Sequence, residues 1–253
     1  MENVAFIYSK KDIASFNLYK KLKEIRDFAF YEINDMLFFE DFSKIKEEKI
    51  IFLSKHESKE KIKSICLHFS GNFDKAIYGG KEKQLSLADP YLLKNIFLNL
   101  AESKINDFNL TLEATHHGPL CLKQHCFVEI GSSKKEWENE KIAEIIANAI
   151  SLSLENKSKD YNIAIGFGGN HYCAKFNEIE KISNFALSHI CPKYAIDLLD
   201  YELFKQMIER TNKEVNFILI DKKGSKTEQR EKIKNFLERY NKENKKNISI
   251  KLI

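Results

Sequence analysis

Apolar and polar positions along this chain form short extended runs separated by longer helical patterns. Eight runs are rich in β-branched and aromatic residues and are bounded by polar or turn residues, which predicts strands. Their sequences are NVAFIYS, KIIFLSK, SICLHFS, LTLEAT, CFVEIGS, NIAIGFG, VNFILID and NISIKLI.

The clearest helical pattern begins after Ser133. Ser133 and Glu136 have the spacing of a capping box, and an apolar stripe follows at Ile142, Ile145, Ile146, Ala149 and Ile150. Further helices are predicted at 91–102, 196–210 and 226–240. Strands that alternate with helices indicate an α/β fold, with a largely parallel or mixed sheet covered by helices on both faces.

Length and composition fit one domain spanning 1–253. With 253 residues, of which 43% are hydrophobic, the chain can bury a substantial core, and it has no internal repeat or low-complexity linker. The net charge of +4 permits a nucleic-acid partner without predicting one. Five cysteines without a CxxC pair indicate reduced thiols of a cytoplasmic protein. The short apolar run in MENVAFIYSKKD argues against a signal peptide, and no run reaches membrane-spanning length.

Polar residues that could carry chemistry fall where the predicted strands end, which is where α/β proteins place functional groups. In TLEATHHGP, His116 and His117 stand side by side, and in an extended segment their rings would point to opposite faces. Gly168 and Gly169 allow a tight turn before His171. The other candidates at such positions are His56, His68, Glu129 and His189.

A zinc site assembled from distant strand ends has suitable donors in His116, His117, His171 and Glu129. Each histidine also fits a hydrogen-bonded structural role, and Glu129 could simply pair with a lysine. Zinc-finger, HExxH and GxSxG patterns are absent. GFGGN lacks the spacing of a dinucleotide site, and no good amphipathic helix is predicted after it. Among the thiols, Cys173 beside His171 is the one candidate nucleophile.

Four blocks together resemble the archaeal and plant type of D-aminoacyl-tRNA deacylase. They are EATHHGP (113–119), FVEIGSS (127–133), GFGGNHY (166–172) and HICPKYA (189–195), and weaker matches extend over nearly the whole chain. Two positions depart from the family pattern: Asn170 replaces a glycine, and Cys191 stands where an aliphatic residue is usual. Asparagine tolerates a left-handed backbone, so we expect the turn at Asn170 to survive.

The resemblance implies a three-layer, phosphorylase/hydrolase-like α/β/α fold and zinc-dependent hydrolysis of the ester that joins a D-amino acid to tRNA. It implies His116, His117 and His171 as zinc ligands, Glu129 as ligand or general base, and Glu113 as the residue that orients a ligating imidazole. His117, Glu113 and Glu129 are thus the catalytic candidates. His56, His68 and His189 form a second tier.

The implied partner is the acceptor end of D-aminoacyl-tRNA, with no membrane or DNA partner and a monomeric state favoured. Gly168, Gly169, Tyr172, Lys10 and Lys11 are the candidate substrate-binding residues, because lysines meet phosphates and aromatic rings stack on unpaired bases. Two alternatives remain open. One is another zinc-assisted hydrolase on the same fold, such as a peptidyl-tRNA hydrolase or exopeptidase, and the other is an RNA-binding protein with structural histidines.

Overall fold

The structure is a computed structural model that describes residues 3–105, 107–155 and 159–253. Its strands are Val4–Tyr8 (β1), Ala29–Glu32 (β2), Lys49–Glu57 (β3), Ser64–His68 (β4), Asn109–Leu112 (β5), Gln124–Ser132 (β6), Asn162–Phe167 (β7), Phe185–Cys191 (β8), Phe217–Ile220 (β9) and Ser249–Leu252 (β10). Its helices are Ile13–Ile25 (α1), Pro90–Glu102 (α2), Lys134–Trp137 (α3), Glu140–Glu155 (α4), Ala174–Ile182 (α5), Lys193–Ile196 (α6), Tyr201–Glu209 (α7) and Thr227–Asn244 (α8).

The strands form two sheets. The larger sheet has the order β2-β1-β3-β6-β4-β5, and all of its neighbouring strands are parallel except the antiparallel pair β4 and β6. The smaller sheet, β10-β9-β7-β8, is entirely parallel. The prediction of a three-layer α/β fold with mixed, mostly parallel strands is confirmed, and the strands are divided between two sheets.

Helices cover one face of the larger sheet. Leu53 of β3 and Val128 of β6 face a core that includes side chains of α1, α2 and α4. On the opposite face, Phe52 and Phe127 pack with residues from irregular segments, such as Met36. Helices were expected on both faces of the sheet, but loops cover this second face of the larger sheet and leave room there for a cleft, while α7 and α8 pack on the smaller sheet.

All eight predicted strand runs are strands, but β2, β8, α1 and α5 were not predicted. The expectation that no good helix follows GFGGN was wrong, because α5 begins at Ala174 directly after Cys173 takes a left-handed backbone (φ 51°). Only Phe176 and Glu180 of α5 are fully buried, so its apolar signal in the sequence is weak.

Two predicted helices are each divided in two. The helix expected to run from Ser133 breaks between α3 and α4, where the Asn139 side chain accepts the N–H of Ile142 at 3.1 Å. The helix expected at 196–210 breaks between α6 and α7, where Asp200 caps α7 by accepting the N–H of Leu203 at 2.9 Å. In both cases a side-chain oxygen satisfies a free helix N–H and allows the chain to restart.

All five cysteines are free and buried, in agreement with the expected reduced thiols. Among the helices of the described ranges, none combines the length and apolar character that a bilayer crossing requires.

Candidate active site

The centre of the site lies on the loop-covered face of the larger sheet. Side chains two residues apart on a strand share a face, so His56 joins Ser54 on β3 and His68 joins Cys66 on β4. Glu129 of β6 pairs in register with Ser54 on one side and with Cys66 on the other. The prediction that the candidates meet at strand ends was therefore incomplete: antiparallel β4 brings its last residues against the middle of β6.

Glu113 is the carboxylate around which the histidines gather. It follows β5 directly, is 2% exposed, and is held in place by its N–H, which donates to the Leu67 carbonyl at 2.9 Å. Its Oε1 lies 3.2 Å from Nδ1 of His56 and 3.5 Å from Nε2 of His171, and its Oε2 lies 3.8 Å from Nε2 of His116. Neither oxygen has an aligned hydrogen-bond donor within the described ranges. Two buried acceptors are thus open to a further ligand.

Glu129 is the second buried carboxyl group. Its Oε1 lies 3.6 Å from Nε2 of His68, and its Oε2 lies 3.8 Å from Nδ1 of His56. His56 therefore lies between Glu113 and Glu129, although it was predicted only as a second-tier site residue. These contacts join six residues into one contiguous group: Glu113, Glu129, His56, His68, His116 and His171.

His116 and His117 point toward the same centre. Strand β5 ends at Leu112, and His117 has a left-handed backbone (φ 45°), so the alternation of a strand does not extend through the pair. Their ring centroids lie 4.2 Å apart, and the ring of His68 lies 4.3 Å from His116 and 4.8 Å from His117. The expectation of divergent rings was therefore wrong.

Hydrogen bonds orient both rings. Nδ1 of His116 lies 2.8 Å from the Ala114 carbonyl, and Nδ1 of His117 lies 2.5 Å from the Gly118 carbonyl. A carbonyl oxygen only accepts, so each Nδ1 carries the proton and donates it. Each Nε2 is then the unprotonated nitrogen, which is the form that binds a metal or accepts a proton.

Burial keeps these imidazoles neutral. It lowers the pKa of His68 and of His116 well below the ordinary histidine value, and neighbouring imidazoles lower both further. Burial and the charge of His68 lower the pKa of His117 to about 3. At neutral pH all three rings therefore have a lone pair available.

The two carboxyl groups differ in charge. Burial by itself raises the pKa of Glu113, but the approach of His171 and the charges of neighbouring histidines outweigh it and bring the pKa below the usual value. Burial, the Glu113 charge and the Asp12 charge raise the pKa of Glu129 well above the usual value. The pKa values of the two carboxyl groups are therefore shifted in opposite directions, which is a common arrangement in acid–base sites.

These side chains lie at the floor of a cleft of about 1270 Å³. His116, His117, His171 and Glu129 all line the cleft, and its walls come from the larger sheet, from loops, and from the segments that follow β7 and β8. Tyr172 stands beside the group, with its hydroxyl 3.4 Å from Nε2 of His56. Tyr78 and Tyr194, which are 67% and 63% exposed, line the cleft nearer its mouth.

The donor atoms meet the geometric requirement for a metal ion. Four sets of three side chains have ligand atoms within 4.8 Å of one another: His68, His116 and His117; His56, Cys66 and Glu113; Glu113, His116 and His171; and His68, Glu113 and Glu129. Imidazole nitrogens combined with carboxylate oxygens are the ligands that catalytic zinc prefers. The open Glu113 oxygens and neutral imidazoles are consistent with this donor chemistry.

Several predicted site residues lie apart from this group. His189 is fully buried, where its Nε2 lies 3.0 Å from the Ser86 carbonyl and its Nδ1 accepts from Thr115 at 3.1 Å. These contacts are those of a structural histidine. Lys10 pairs with Glu32 at 2.6 Å, whereas Lys11 lines the cleft.

The glycine turn anchors the segment that carries His171. Gly168 and Gly169 both have positive φ, at 107° and 74°, and the Gly169 N–H donates to the Gly224 carbonyl at 2.9 Å. Asn170 does not adopt positive φ, and its side-chain oxygen accepts the N–H of Tyr172 at 3.1 Å. The departure at Asn170 is thus accommodated by a side-chain turn.

The structure also changes the set of candidate site residues at three positions, namely Cys173, Cys66 and Asp12. Burial raises the pKa of the Cys173 thiol well above its usual value, which makes it a poor nucleophile. Cys66 and Asp12 were not predicted to lie at the site. Cys66 shares a face with His68, a relationship that strand alternation could have indicated. Asp12 caps α1 by accepting the Ser15 N–H at 3.0 Å, and it also accepts the Lys55 N–H at 2.9 Å.

The fold and the site define a class of protein. It is an α/β protein whose cleft contains a buried histidine–carboxylate centre, as is typical of hydrolases. Comparison with known proteins narrows this class. The chain belongs to the D-aminoacyl-tRNA deacylase family, whose sequence model matches residues 43–244. The resemblance inferred from the four sequence blocks is thereby confirmed.

Relatives named D-aminoacyl-tRNA deacylase match over most of the chain. The Pyrococcus furiosus protein is 36% identical over 242 residues, covering 91% of this chain and 87% of the relative. The Thermococcus kodakarensis protein is 42% identical over 191 residues, covering 74% and 69%. A crystal structure described as a conserved protein of unknown function superimposes with a TM-score of 0.90 at 27% identity, covering 99% of this chain and 95% of that one.

Proposed function

We propose that this protein hydrolyses the ester bond of D-aminoacyl-tRNA and releases free tRNA and a D-amino acid. Family membership supports this reaction. The environment of Glu113 is the observation that assigns the reaction to particular residues. Its buried carboxylate has histidines on both oxygens and no aligned donor within the described ranges. Such a group is costly to bury unless it serves a ligand.

Zinc is the cofactor that this donor set suits. Glu113, His116 and His171 form one candidate ligand set, and His68, His116 and His117 form an adjacent one. When bound, zinc supplies Lewis-acid polarisation of the ester carbonyl and lowers the pKa of water toward neutrality.

The protein's own side chains would manage the proton. Nε2 of His117 is unprotonated and His117 lines the cleft, so this nitrogen is placed to accept a hydrogen bond from the attacking water. The hydrogen bond from Nδ1 to the Gly118 carbonyl fixes the tautomer that this role requires. Glu129 is the second candidate for acid–base work. Burial raises the pKa of the Cys173 thiol, which argues against this thiol as a nucleophile.

The cleft suits the single-stranded acceptor end of tRNA. Lys11, Lys59 and Lys61 line it and can approach phosphates, while Tyr78 and Tyr194 offer exposed rings to unpaired bases. Because aminoacyl-tRNA is used in translation, a cytoplasmic location is part of this proposal. A protein that acts on one acceptor end needs no second subunit in this scheme, in keeping with the favoured monomer.

The test is a substrate panel of D-tyrosyl-tRNA, L-tyrosyl-tRNA and a peptidyl-tRNA, assayed with and without chelator. We expect chelator-sensitive release from the D-aminoacyl ester only. Glu113→Gln should reduce the single-turnover rate by about a hundredfold or more, because it removes the charge that the histidines surround. Glu180→Gln is the matched control, since Glu180 is equally buried and lies outside the cleft. Preference for the peptidyl substrate would overturn the proposal.

A further inference from the structure

Two buried serines hold the main chain beside His117. Ser70 and Ser86 are both 0% exposed, and neither lines the cleft. Their hydroxyl oxygens lie 2.7 Å and 3.1 Å from the Pro119 carbonyl oxygen, respectively, and 2.9 Å from each other. The Ser86 N–H also donates to the Ser70 carbonyl at 3.2 Å. The two serines are thus attached to each other and converge on one acceptor, two residues after a histidine of the site.

His125 sets the direction of the Ser70 hydroxyl. Nδ1 of His125 lies 2.8 Å from the Leu87 carbonyl, which only accepts, so Nδ1 carries the proton. The other ring nitrogen, Nε2, then has one lone pair, which accepts the Ser70 N–H at 3.1 Å. The Ser70 hydroxyl is 3.0 Å from the same nitrogen, but the lone pair there is already used. The hydroxyl therefore donates to the Pro119 carbonyl.

Gly71 attaches the chain on the other side of the same turn. Its N–H donates to the His117 carbonyl at 2.8 Å, and the Gly118 N–H donates to the Tyr78 carbonyl at 2.9 Å. With the Pro119 carbonyl held by the serines, the main chain is fixed before and after Gly118. The Gly118 carbonyl is the acceptor for Nδ1 of His117 at 2.5 Å. The direction of the ring and the availability of its Nε2 therefore depend on this attachment.

We infer that Ser70 and Ser86 are positioning residues, which act on catalysis through His117 by holding the Gly118 carbonyl against its Nδ1. The inference rests on the proposed function and extends it to two residues outside the cleft. Without these hydroxyls the segment gains freedom, and the ring loses its fixed tautomer and direction. A displacement of about 1 Å at a catalytic group is enough to lower a rate severely. Binding of tRNA should be unaffected, because neither serine lines the cleft.

A double-mutant cycle tests the inference. Ser70→Ala should reduce kcat on D-tyrosyl-tRNA about tenfold in the otherwise wild-type protein, with little change in KM. In a His117→Ala background the same change should cost less than about twofold, because the ring through which Ser70 acts is gone. Ser188→Ala is the matched control, since Ser188 is 2% exposed and its hydroxyl bonds to that of Thr211 at 2.6 Å. It should leave kcat unchanged in both backgrounds.

The ring nitrogens of His117 give a second measurement, which does not depend on activity. In the metal-free protein, long-range proton–nitrogen NMR spectra distinguish the two tautomers of a neutral imidazole. We expect the Nδ1–H tautomer alone for His117 in the wild-type protein and a mixture of tautomers in the Ser70→Ala/Ser86→Ala double variant. His116 is the internal reference, because its Nδ1 donates to the Ala114 carbonyl and should keep its proton in both proteins.

Equal losses for Ser70→Ala in both backgrounds, or an unchanged His117 tautomer in the double variant, would overturn the inference and leave the deacylase activity standing. If Ser70→Ala does not fold, Ser86→Ala is carried through the same cycle and should show the same dependence on His117. Failure of the wild-type protein to hydrolyse D-tyrosyl-tRNA would instead overturn the proposed function. The tautomer measurement would then decide by itself whether the serines position the ring.

Discussion

Nε2 of His171 lies 3.5 Å from Oε1 of Glu113, although the two residues follow strands of different sheets. The main chain reinforces this contact, because the Ala114 N–H donates to the His171 carbonyl at 2.8 Å. Next to it, the Thr115 N–H donates to the Ile190 carbonyl at 3.0 Å. The segment 113–115 is therefore fastened to the smaller sheet by its backbone, and the side-chain geometry follows from that attachment.

Replacing His116 or His117 with alanine should reduce the single-turnover rate by roughly a hundredfold or more, since each supplies a free Nε2 to the site. Stability should change little because both rings are only partly buried. His189→Ala offers the contrast: it removes a fully buried, hydrogen-bonded ring and should destabilise the fold. Wild-type turnover and zinc content in either site variant would contradict the assigned role of that histidine.

Chelation should abolish activity while the fold survives. The three apolar cores draw on both sheets and do not depend on the candidate ligands for their packing. Circular dichroism and hydrolysis, followed together during dialysis against chelator and after zinc is restored, provide the measurement. Full turnover in a preparation shown to be metal-free would exclude the zinc mechanism, and global unfolding would make the metal structural.

Affinity for tRNA should fall as salt rises, with a slope that corresponds to about three to five phosphate contacts. Replacing both Lys59 and Lys61 with glutamine should reduce that slope by about 1–2, because both line the cleft. The same change at Lys234 and Lys242, which are exposed on α8, is the control. A slope that is unchanged by the first pair would place the phosphates elsewhere.

The free energy of unfolding should decrease as pH falls from about 6.5 toward 4. Burial lowers the pKa of His125 to about 4, so below the ordinary histidine pKa the unfolded chain binds a proton that the native protein does not. Each such proton changes the folding equilibrium constant by about tenfold per pH unit. Urea titrations at several pH values should show a shallower dependence in His125→Asn, by about one proton. An identical slope in the variant would contradict the assignment.

Gly118→Ala should destabilise the protein and reduce turnover together. A Cβ at Gly118 would lie 2.2 Å from the Leu37 carbonyl oxygen and 2.3 Å from the Gly80 nitrogen, both of which are backbone atoms. Relief of that clash must move the neighbouring His117. Gly169→Ala is a milder comparison, because its nearest contact is 3.5 Å away and the cost is chiefly its positive φ. Thermal unfolding and single-turnover rates distinguish the two, and equal stability losses would contradict the steric argument.

Sequence patterning was most informative for strongly apolar elements. Predicted strands such as β1 and β6 are largely buried, whereas the unpredicted β2 is mostly half-exposed. Burial was not a sufficient guide, since β10 was predicted although it is mostly exposed and β8 was missed although it is buried. The candidate site residues were named because they fall where predicted strands end and because the blocks resemble a family. Their mutual contacts depend on strand order. Cys66 lies opposite Glu129 because β4 and β6 pair in antiparallel fashion. This long-range pairing cannot be predicted from the sequence of either strand alone.

Dependence on long-range contacts also explains why the ring direction of His117 and the structural role of His189 were not predicted from sequence. Whether adjacent rings converge depends on a single backbone angle, and the pattern of apolar and polar residues does not indicate the left-handed φ of His117. His189 has the same chemistry as the site histidines, but Ser86 and Thr115 occupy both of its nitrogens. Only the packing of other segments distinguishes a satisfied imidazole from an available one.

Because backbone hydrogen bonds attach segment 113–115 to the smaller sheet, catalysis also depends on the correct docking of the two sheets. Neither sheet contains the whole donor set, and the largest apolar core includes side chains of both sheets, so a fragment that carries just one sheet would be inert. Two such fragments would regain activity only by binding to each other. In the intact chain, a small separation of the two sheets would abolish activity before either sheet unfolds. Turnover is therefore a more sensitive measure of sheet docking than a spectroscopic measurement of secondary structure.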